Sequence, residues 1–197
     1  AGLETLTQLL SALAQACSLR LQEHATSETQ LLDYLSTQER LVVLDNFEHL
    51  ISERSLTFLL KVLDRASGIK FLITSRVHLQ LHGEQRYWLQ GLPFSISQAT
   101  LSVEAAATGY SSHRLFLAAV GRVSPTYRLT ATDVPALLAI CQQVQGMPLA
   151  LELAAAWSNV LSLAEIAAEI GRNLDFLAHE AHDLPVRQRS MRAVFAT

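Results

Sequence analysis

Two short stretches of the sequence end in side chains that could bind a phosphate group and its metal ion. The apolar run Leu41–Leu44 is followed by Asp45, and a second run, Ile69–Thr74, ends in the segment Thr74-Ser75-Arg76. A carboxylate at the end of a strand can hold a hydrated Mg²⁺, which prefers oxygen ligands. A guanidinium can donate two hydrogen bonds to a terminal phosphate. Each feature also has an ordinary alternative, because buried strands end in polar residues and exposed arginines are usually solvated.

A third candidate is the turn that contains Gly146 and Pro148, followed by Leu149. Glycine permits a sharp turn, and proline is tolerated at the start of a helix because the first helical N–H groups have no partner within the helix. By itself this pattern is ordinary punctuation between two helices.

For Asp45 and Arg76 to lie close together, the two apolar runs must be neighbouring strands of one sheet. The first run is short and lacks alternation, which favours a strand that is buried on both faces, and the second run predicts another buried strand. Residues 51–66 show helical spacing, so the order strand, helix, strand predicts a parallel α/β sheet, with a third strand at Tyr87–Leu89. Ligands of parallel sheets bind at the carboxyl ends of the strands, where both candidate side chains would lie.

Helices are predicted on either side of this sheet. Apolar residues recur at helical spacing over residues 3–19, and Thr26 or Ser27 could cap a second helix. After Pro93 the strands stop, and stretches rich in Ala and Leu predict four further helices. These are residues 111–122, 132–145, 147–160 and 162–177. We therefore expect a mostly helical chain in which a small parallel α/β part is followed by an α-helical bundle.

The composition excludes several classes of protein. Half of the 197 residues are hydrophobic, 17% are charged, and the net charge is −3. A chain this apolar is not a disordered tail, and a mildly acidic chain without a basic block is a poor nucleic-acid binder by itself. No uncharged apolar run is long enough for a transmembrane helix, and the first residues do not resemble a signal peptide. We expect a cytoplasmic protein.

Other reactive or bulky side chains are predicted to be structural. Cys17 and Cys141 are expected to be small core residues, and Trp88 and Trp157 are expected to be packing anchors. His179 and His182 are spaced as a weak zinc pair, but a solvated helix end is the better interpretation. The arginines at positions 187, 189 and 192 are likewise interpreted as a solvated helix face.

Taken together and in this order, five segments resemble the nucleotide-binding region of STAND ATPases. These signal-transduction ATPases are related to NB-ARC (AP-ATPase) domains, and the resemblance is closest to bacterial transcriptional regulators, including LuxR-type ones. LVVLDNFEHL at 41–50 resembles their Walker B strand, and FLITSR at 71–76 resembles their sensor segment. GEQRYWLQGLP at 83–93 resembles the strand that leads out of their α/β domain. CQQVQGMPLALELAAAW at 141–157 resembles their GxP segment, and DLPVRQRSMRAVF at 183–195 resembles the approach to their winged-helix domain.

The resemblance implies roles for residues at the predicted sheet edge. Asp45 would hold the Mg²⁺ shell, and Arg76 would sense the γ-phosphate of ATP, so both would be catalytic as well as nucleotide-binding residues. Asn46 would also border the nucleotide, at a position that is often a second acid. Because an amide cannot act as a general base, hydrolysis would be slow or would depend on another group such as Glu48.

The resemblance also implies that the GxP turn binds the base. Pro148 would lie against the adenine of ATP or ADP, and the neighbouring backbone of Gly146 and Leu149 would hold it.

The largest departure from the family is the absence of a G-x-x-x-x-G-K-[ST] sequence. Such a P-loop supplies the backbone N–H groups and the lysine that bind the β- and γ-phosphates. The resemblance implies that it lies upstream of Ala1, so we expect a fragment of a longer protein. Residues 1–93 would be the C-terminal part of a P-loop NTPase domain, 94–182 a helical GxP domain and 183–197 the start of a truncated winged-helix domain.

Two functions remain open on the sequence. The first is an ATP/ADP-dependent switch in a transcriptional regulator, in which this fragment alone binds neither ATP nor Mg²⁺ tightly and the parent protein is at most a slow ATPase. Its partners would be the missing P-loop segment and the winged-helix and sensor domains. DNA would be contacted only through absent domains, and no membrane partner is expected. The second is a non-catalytic helical interaction module on a degenerate NTPase scaffold. In either case an uncovered apolar sheet edge predicts self-association.

Overall fold

The computed structural model describes residues 4–22, 24–95, 101–173 and 177. The chain divides into two units, Ala1–Arg86 and Tyr87–Thr197. Each unit has its own cluster of buried apolar side chains. The domain identities given above to residues 1–93, 94–182 and 183–197 stay predictions, and the whole of the last range lies outside the described residues, as do His179 and His182.

The first unit combines three α-helices with two strands in its described residues. The elements are α1 Leu6–Ala16, α2 Ser27–Ser36, β1 Arg40–Leu44, a 3-10 helix Phe47–Leu50, α3 Glu53–Arg65 and β2 Ile69–Ile73. Each α-helix is preceded by a hydroxyl side chain that accepts a hydrogen bond from the first turn, namely Thr5, Thr26 and Ser52. Such caps satisfy helix N–H groups that have no partner within the helix. The predicted cap at Thr26 is confirmed.

The two strands form a parallel sheet, as the order strand, helix, strand predicted. Their register runs from Arg40 opposite Ile69 to Leu44 opposite Ile73. The prediction that both faces of the strands are buried is wrong. Leu41, Val43 and Leu72 are 63%, 58% and 54% exposed. Their neighbours Leu44 and Ile69 are buried with the apolar side chains of α1, α2 and α3, so the described helices cover one face of the sheet only.

The predicted third strand at Tyr87–Leu89 does not form, so the sheet has two strands in the described residues. Tyr87 and Leu89 are 88% and 86% exposed, and Trp88 is 67% exposed. A short apolar run becomes a strand only where a neighbouring strand can pair with its backbone groups. No described strand does so here. The interpretation of Trp88 as a packing anchor is therefore also wrong.

All the secondary-structure elements of the second unit in its described residues are helices. Its elements are α4 Val103–Thr108, α5 Ser111–Val123, α6 Val134–Gln143, α7 Pro148–Ala156, a 3-10 helix Trp157–Asn159 and α8 Leu163–Arg172. The four predicted helices are confirmed, three of them with shorter bounds and α5 one residue longer, and α4 is an additional helix. Phe116, Leu137, Ile140, Leu151 and Ile166 are completely buried between these helices. None of the helices in the described residues is long and apolar enough to cross a membrane.

Candidate functional site

The carboxyl ends of β1 and β2 bring Asp45 and Thr74 together. Because Leu44 pairs with Ile73 in the parallel register, the next residue of each strand meets its counterpart. The Thr74 hydroxyl donates a hydrogen bond to Asp45 Oδ1 at 2.5 Å. The backbone continues the contact, since the Thr74 N–H donates to the Leu44 carbonyl at 3.0 Å and the Phe47 N–H donates to the Thr74 carbonyl at 2.9 Å. Thr74 thus ties the exit of β1 to the exit of β2.

Asn46 supplies a second hydrogen bond to the same carboxylate. Its backbone is left-handed, with φ 54° and ψ 47°, a conformation that asparagine tolerates better than most residues. In this conformation the Asn46 N–H donates to the Thr74 hydroxyl oxygen at 2.9 Å, and Asn46 Nδ2 donates to Asp45 Oδ2 at 3.2 Å. Both oxygens of Asp45 therefore accept a hydrogen bond from a neighbouring side chain, while Asp45 itself stays exposed.

Arg76 reaches the same edge through Glu48. Its Nε lies 4.0 Å from Glu48 Oε1, and the Arg76 side chain is 43% exposed. Glu48 lies in the 3-10 helix that follows β1, which is anchored by the buried side chains of Phe47 and Leu50. Glu48 Oε2 is buried and has no hydrogen-bond partner among the residues that the structure describes. The edge thus presents one exposed carboxylate, one half-exposed guanidinium and a second, mostly buried carboxylate.

These donors fit part of a magnesium–phosphate site. Mg²⁺ usually keeps several waters and is held by one or two carboxylates together with substrate phosphates. Asp45 could supply such a carboxylate, and the guanidinium of Arg76 could bind a phosphate. A cage made of protein ligands alone is not present, because the described residues contain no group of three or more His, Cys, Asp or Glu side chains that could hold a metal ion. The sequence contains no P-loop motif, which would supply the backbone N–H groups that bind the phosphates.

The other candidate residues, Gly146, Pro148 and Leu149, belong to the second unit. Gln145 and Gly146 both have positive φ after α6, and the Gly146 N–H donates to the Cys141 carbonyl while the Gln145 N–H donates to the Gln142 carbonyl. This pair of bonds is the Schellman ending of a helix. Pro148 is the exposed first residue of α7, and Leu149 is half-buried.

A close backbone contact explains the glycine at this turn. The Leu92 N–H donates to the Gly146 carbonyl at 2.8 Å. A Cβ atom on Gly146 would lie 2.0 Å from the Leu92 carbonyl oxygen, and one on Gly91 would lie 1.9 Å from the Gln145 carbonyl oxygen. The structure therefore gives both glycines a packing role that requires no ligand.

Sequence reasoning placed Thr74 in the candidate segment 74–76 but missed its hydrogen bond to Asp45, and it missed the packing of Gly91. The signal for Thr74 was available, since it directly follows a strand predicted to pair with the strand before Asp45. The signal for Gly91 was absent, because residues 91 and 146 are far apart in the sequence. The interpretation of Cys141 as a core residue is confirmed: burial raises the pKa of its thiol to about 12, so the reactive thiolate does not form near neutral pH. Cys17 is half-buried.

Comparisons with known proteins find distant relatives, some of which are named as transcriptional regulators. The chain is 27% identical over 180 residues to proteins of Mycobacterium tuberculosis and Mycobacterium bovis that are provisionally named HTH-type transcriptional regulators. The match covers 91% of this chain and 19% of those relatives, so the chain spans about a fifth of their length. It is also 26% identical over 166 residues to an uncharacterized Mycobacterium tuberculosis protein, covering 84% of this chain and 38% of that relative. No protein-family model and no solved structure matches the chain.

Proposed function

We propose that this chain is part of a STAND-type switch in a transcriptional regulator, and that the carboxyl edge of β1 and β2 binds the phosphate end of ATP or ADP. The observation that carries the proposal is the convergence of Asp45, Asn46, Thr74 and Arg76 at that edge. Acidic and basic groups at the carboxyl ends of parallel strands are arranged as a nucleotide phosphate and its metal ion require.

Each residue of this edge has a task in the proposal. Asp45 accepts hydrogen bonds from water in the Mg²⁺ shell, and the metal ion, when bound, neutralises charge on the phosphates. Arg76 exchanges its contact with Glu48 for the terminal phosphate, to which a guanidinium can donate two hydrogen bonds. Asn46 cannot take a proton from water, so the edge is better suited to holding a nucleotide than to hydrolysing it rapidly.

The regulatory part of the proposal comes from the relatives. The longer mycobacterial proteins are provisionally named as HTH-type transcriptional regulators, and a module that spans about a fifth of such a protein leaves room for a phosphate-binding loop and a DNA-binding domain elsewhere. In this proposal the 197-residue chain supplies the metal and sensor side of the site, and other segments supply the phosphate cradle and the contact with DNA.

A second candidate function is a helical interaction module without nucleotide. Two observations favour it. The packing of Gly146 against Leu92 accounts for the GxP turn without an adenine. The side chains of Leu41, Val43 and Leu72 leave one face of the sheet exposed and apolar, as is common for protein-binding surfaces.

Calorimetric titration with ATP and ADP separates the two functions. We expect no tight binding by the 197-residue chain, and tight Mg²⁺-dependent binding by a version extended upstream by about a hundred residues, the scale of a missing half-domain. In the longer version, Asp45→Ala and Arg76→Ala should each weaken binding about tenfold or more, the effect expected when a hydrogen bond to a charged group is lost.

Matched control substitutions lie at the opposite end of the strands. Asp64→Ala and Arg65→Ala remove the same charges from exposed positions just before β2 and should leave binding unchanged. If the longer version does not bind either nucleotide, the switch is excluded and the interaction module becomes the better account.

A further inference from the structure

The hydroxyl of Thr74 both donates and accepts a hydrogen bond at the carboxyl edge of β1 and β2. The hydroxyl donates to Asp45 Oδ1 at 2.5 Å and accepts the Asn46 N–H at 2.9 Å. A hydroxyl has one proton and two lone pairs; its proton is directed to Asp45 because a carboxylate only accepts, and a lone pair accepts the N–H of Asn46. Thr74 therefore links the Asp45 carboxylate to the backbone of Asn46 through a single hydroxyl group.

We propose that Thr74 is the positioning residue of Asp45, holding the carboxylate in one rotamer so that it presents its remaining lone pairs to a hydrated metal ion. The inference rests on the proposed function, because the task of Asp45 is assigned there. It extends that function by naming a residue that touches neither nucleotide nor metal yet sets how strongly Mg²⁺ strengthens nucleotide binding. Groups that orient metal-binding carboxylates in this way typically change metal affinity 10–100-fold when they are removed.

The contacts of Thr74 also distinguish its role from that of Asn46. The Asn46 amide reaches the other oxygen, Asp45 Oδ2, at 3.2 Å, a longer and weaker hydrogen bond. Thr74 in addition holds the backbone on both sides of the carboxylate through its N–H and carbonyl groups. Those two backbone bonds do not depend on the side chain, so a substitution at position 74 can remove the hydroxyl while the strand pairing is kept.

Thr74→Val and Thr74→Ser form the decisive pair of variants. Valine keeps the branched shape and β-propensity of threonine but loses the hydroxyl, whereas serine keeps the hydroxyl. Thr57→Val is a matched control, because it makes the same change at an exposed position of α3.

The first measurement uses the 197-residue chain and needs no nucleotide. Side-chain scalar couplings measured by NMR report the χ1 rotamers of Asp45. We expect one rotamer in the wild type, in Thr74→Ser and in Thr57→Val, and averaging between rotamers in Thr74→Val. A single, unchanged Asp45 rotamer in Thr74→Val overturns the inference.

The second measurement compares ADP affinity with and without Mg²⁺ in the upstream-extended version. We expect Thr74→Val to reduce the Mg²⁺-dependent increase in ADP affinity about tenfold or more, with little change in the affinity without Mg²⁺. Thr74→Ser should keep the wild-type Mg²⁺ effect. If Asp45→Ala removes the Mg²⁺ effect and Thr74→Val does not, the positioning role is wrong and the nucleotide site stands. If the extended version binds no nucleotide while Asp45 loses its fixed rotamer in Thr74→Val, the proposed function fails and the positioning role stands.

Discussion

Substitution of Gly146 by alanine tests a close backbone contact in the second unit. Gly146 has φ +66°, and its added Cβ would lie 2.0 Å from the Leu92 carbonyl oxygen. Neither atom is the end of a flexible side chain, so the segment at Leu92 has to move. Its movement also breaks the 2.8 Å hydrogen bond from the Leu92 N–H to the Gly146 carbonyl.

The expected loss of stability follows from three contributions. An L-residue in the left-handed conformation costs about 1–2 kcal/mol. The lost backbone hydrogen bond costs about 0.5–1.5 kcal/mol, and the forced displacement costs about 1–3 kcal/mol as in other overpacked sites. We therefore expect Gly146→Ala to lower the free energy of unfolding of the second unit by about 2.5–6.5 kcal/mol, a large part of the about 5–15 kcal/mol typical of a domain.

Three other glycines separate these contributions. Gly91→Ala has the close contact without a positive φ and should cost about 1.5–4.5 kcal/mol. Gly83→Ala has φ +83° with no atom within 4 Å of the added Cβ and should cost about 1–2 kcal/mol in the first unit. Gly121→Ala has neither feature, lies inside α5 and should stabilise the second unit by about 1 kcal/mol.

Urea unfolding followed by hydrogen-exchange mass spectrometry measures the stability of each unit separately. The predicted order of destabilisation is Gly146→Ala first, then Gly91→Ala, then Gly83→Ala, with Gly121→Ala of opposite sign. A cost for Gly146→Ala no greater than that for Gly83→Ala would refute the contact with Leu92, and with it the packing explanation of the GxP turn.

Two further predictions concern acid stability and self-association. Burial lowers the pKa of His113, against the opposing effect of its hydrogen bond to the Ala106 carbonyl. The unfolded chain then binds the proton more readily, so the free energy of unfolding should fall as the pH drops below about 6.5. In urea titrations His113→Gln should lose this pH dependence, and the control His82→Gln at an exposed position should keep it. An equal loss of stability at acid pH in both variants would contradict the assignment to His113. Sedimentation velocity should show concentration-dependent dimers that Val43→Lys on the open sheet face abolishes and Val160→Lys, at another exposed valine, does not; a wild-type monomer at the highest concentration would exclude this association.

The helices and the strand pair could be predicted from the sequence because their signals are local. Apolar spacing, the cap at Thr26 and Pro148 at a helix start each depend on a few neighbouring residues. The predicted strand at Tyr87–Leu89 and the predicted burial of both faces of β1 were wrong because they do not depend on local signals. Whether an apolar run pairs, and whether a strand is covered on both faces, depends on elements elsewhere in the fold.

The candidate site divides in the same way. The meeting of Asp45 with the end of β2 follows from two adjacent parallel strands, so the sequence could indicate it. The hydroxyl bond from Thr74 depends on the register and on the left-handed backbone of Asn46, which only the structure supplies. The contact of Gly91 with the turn at Gly146 joins distant parts of the chain, and no local pattern encodes it.

Hydrogen exchange with and without nucleotide tests the central claim most directly. The upstream-extended version would be labelled in the presence and absence of Mg²⁺ and ADP, and the peptides that cover the exits of β1 and β2 compared. We predict slower exchange over residues 45–50 and 74–76 when nucleotide is bound, and loss of that protection in Asp45→Ala. Nucleotide binding that leaves both segments unchanged would contradict the account, because the phosphate end would then lie elsewhere in the protein.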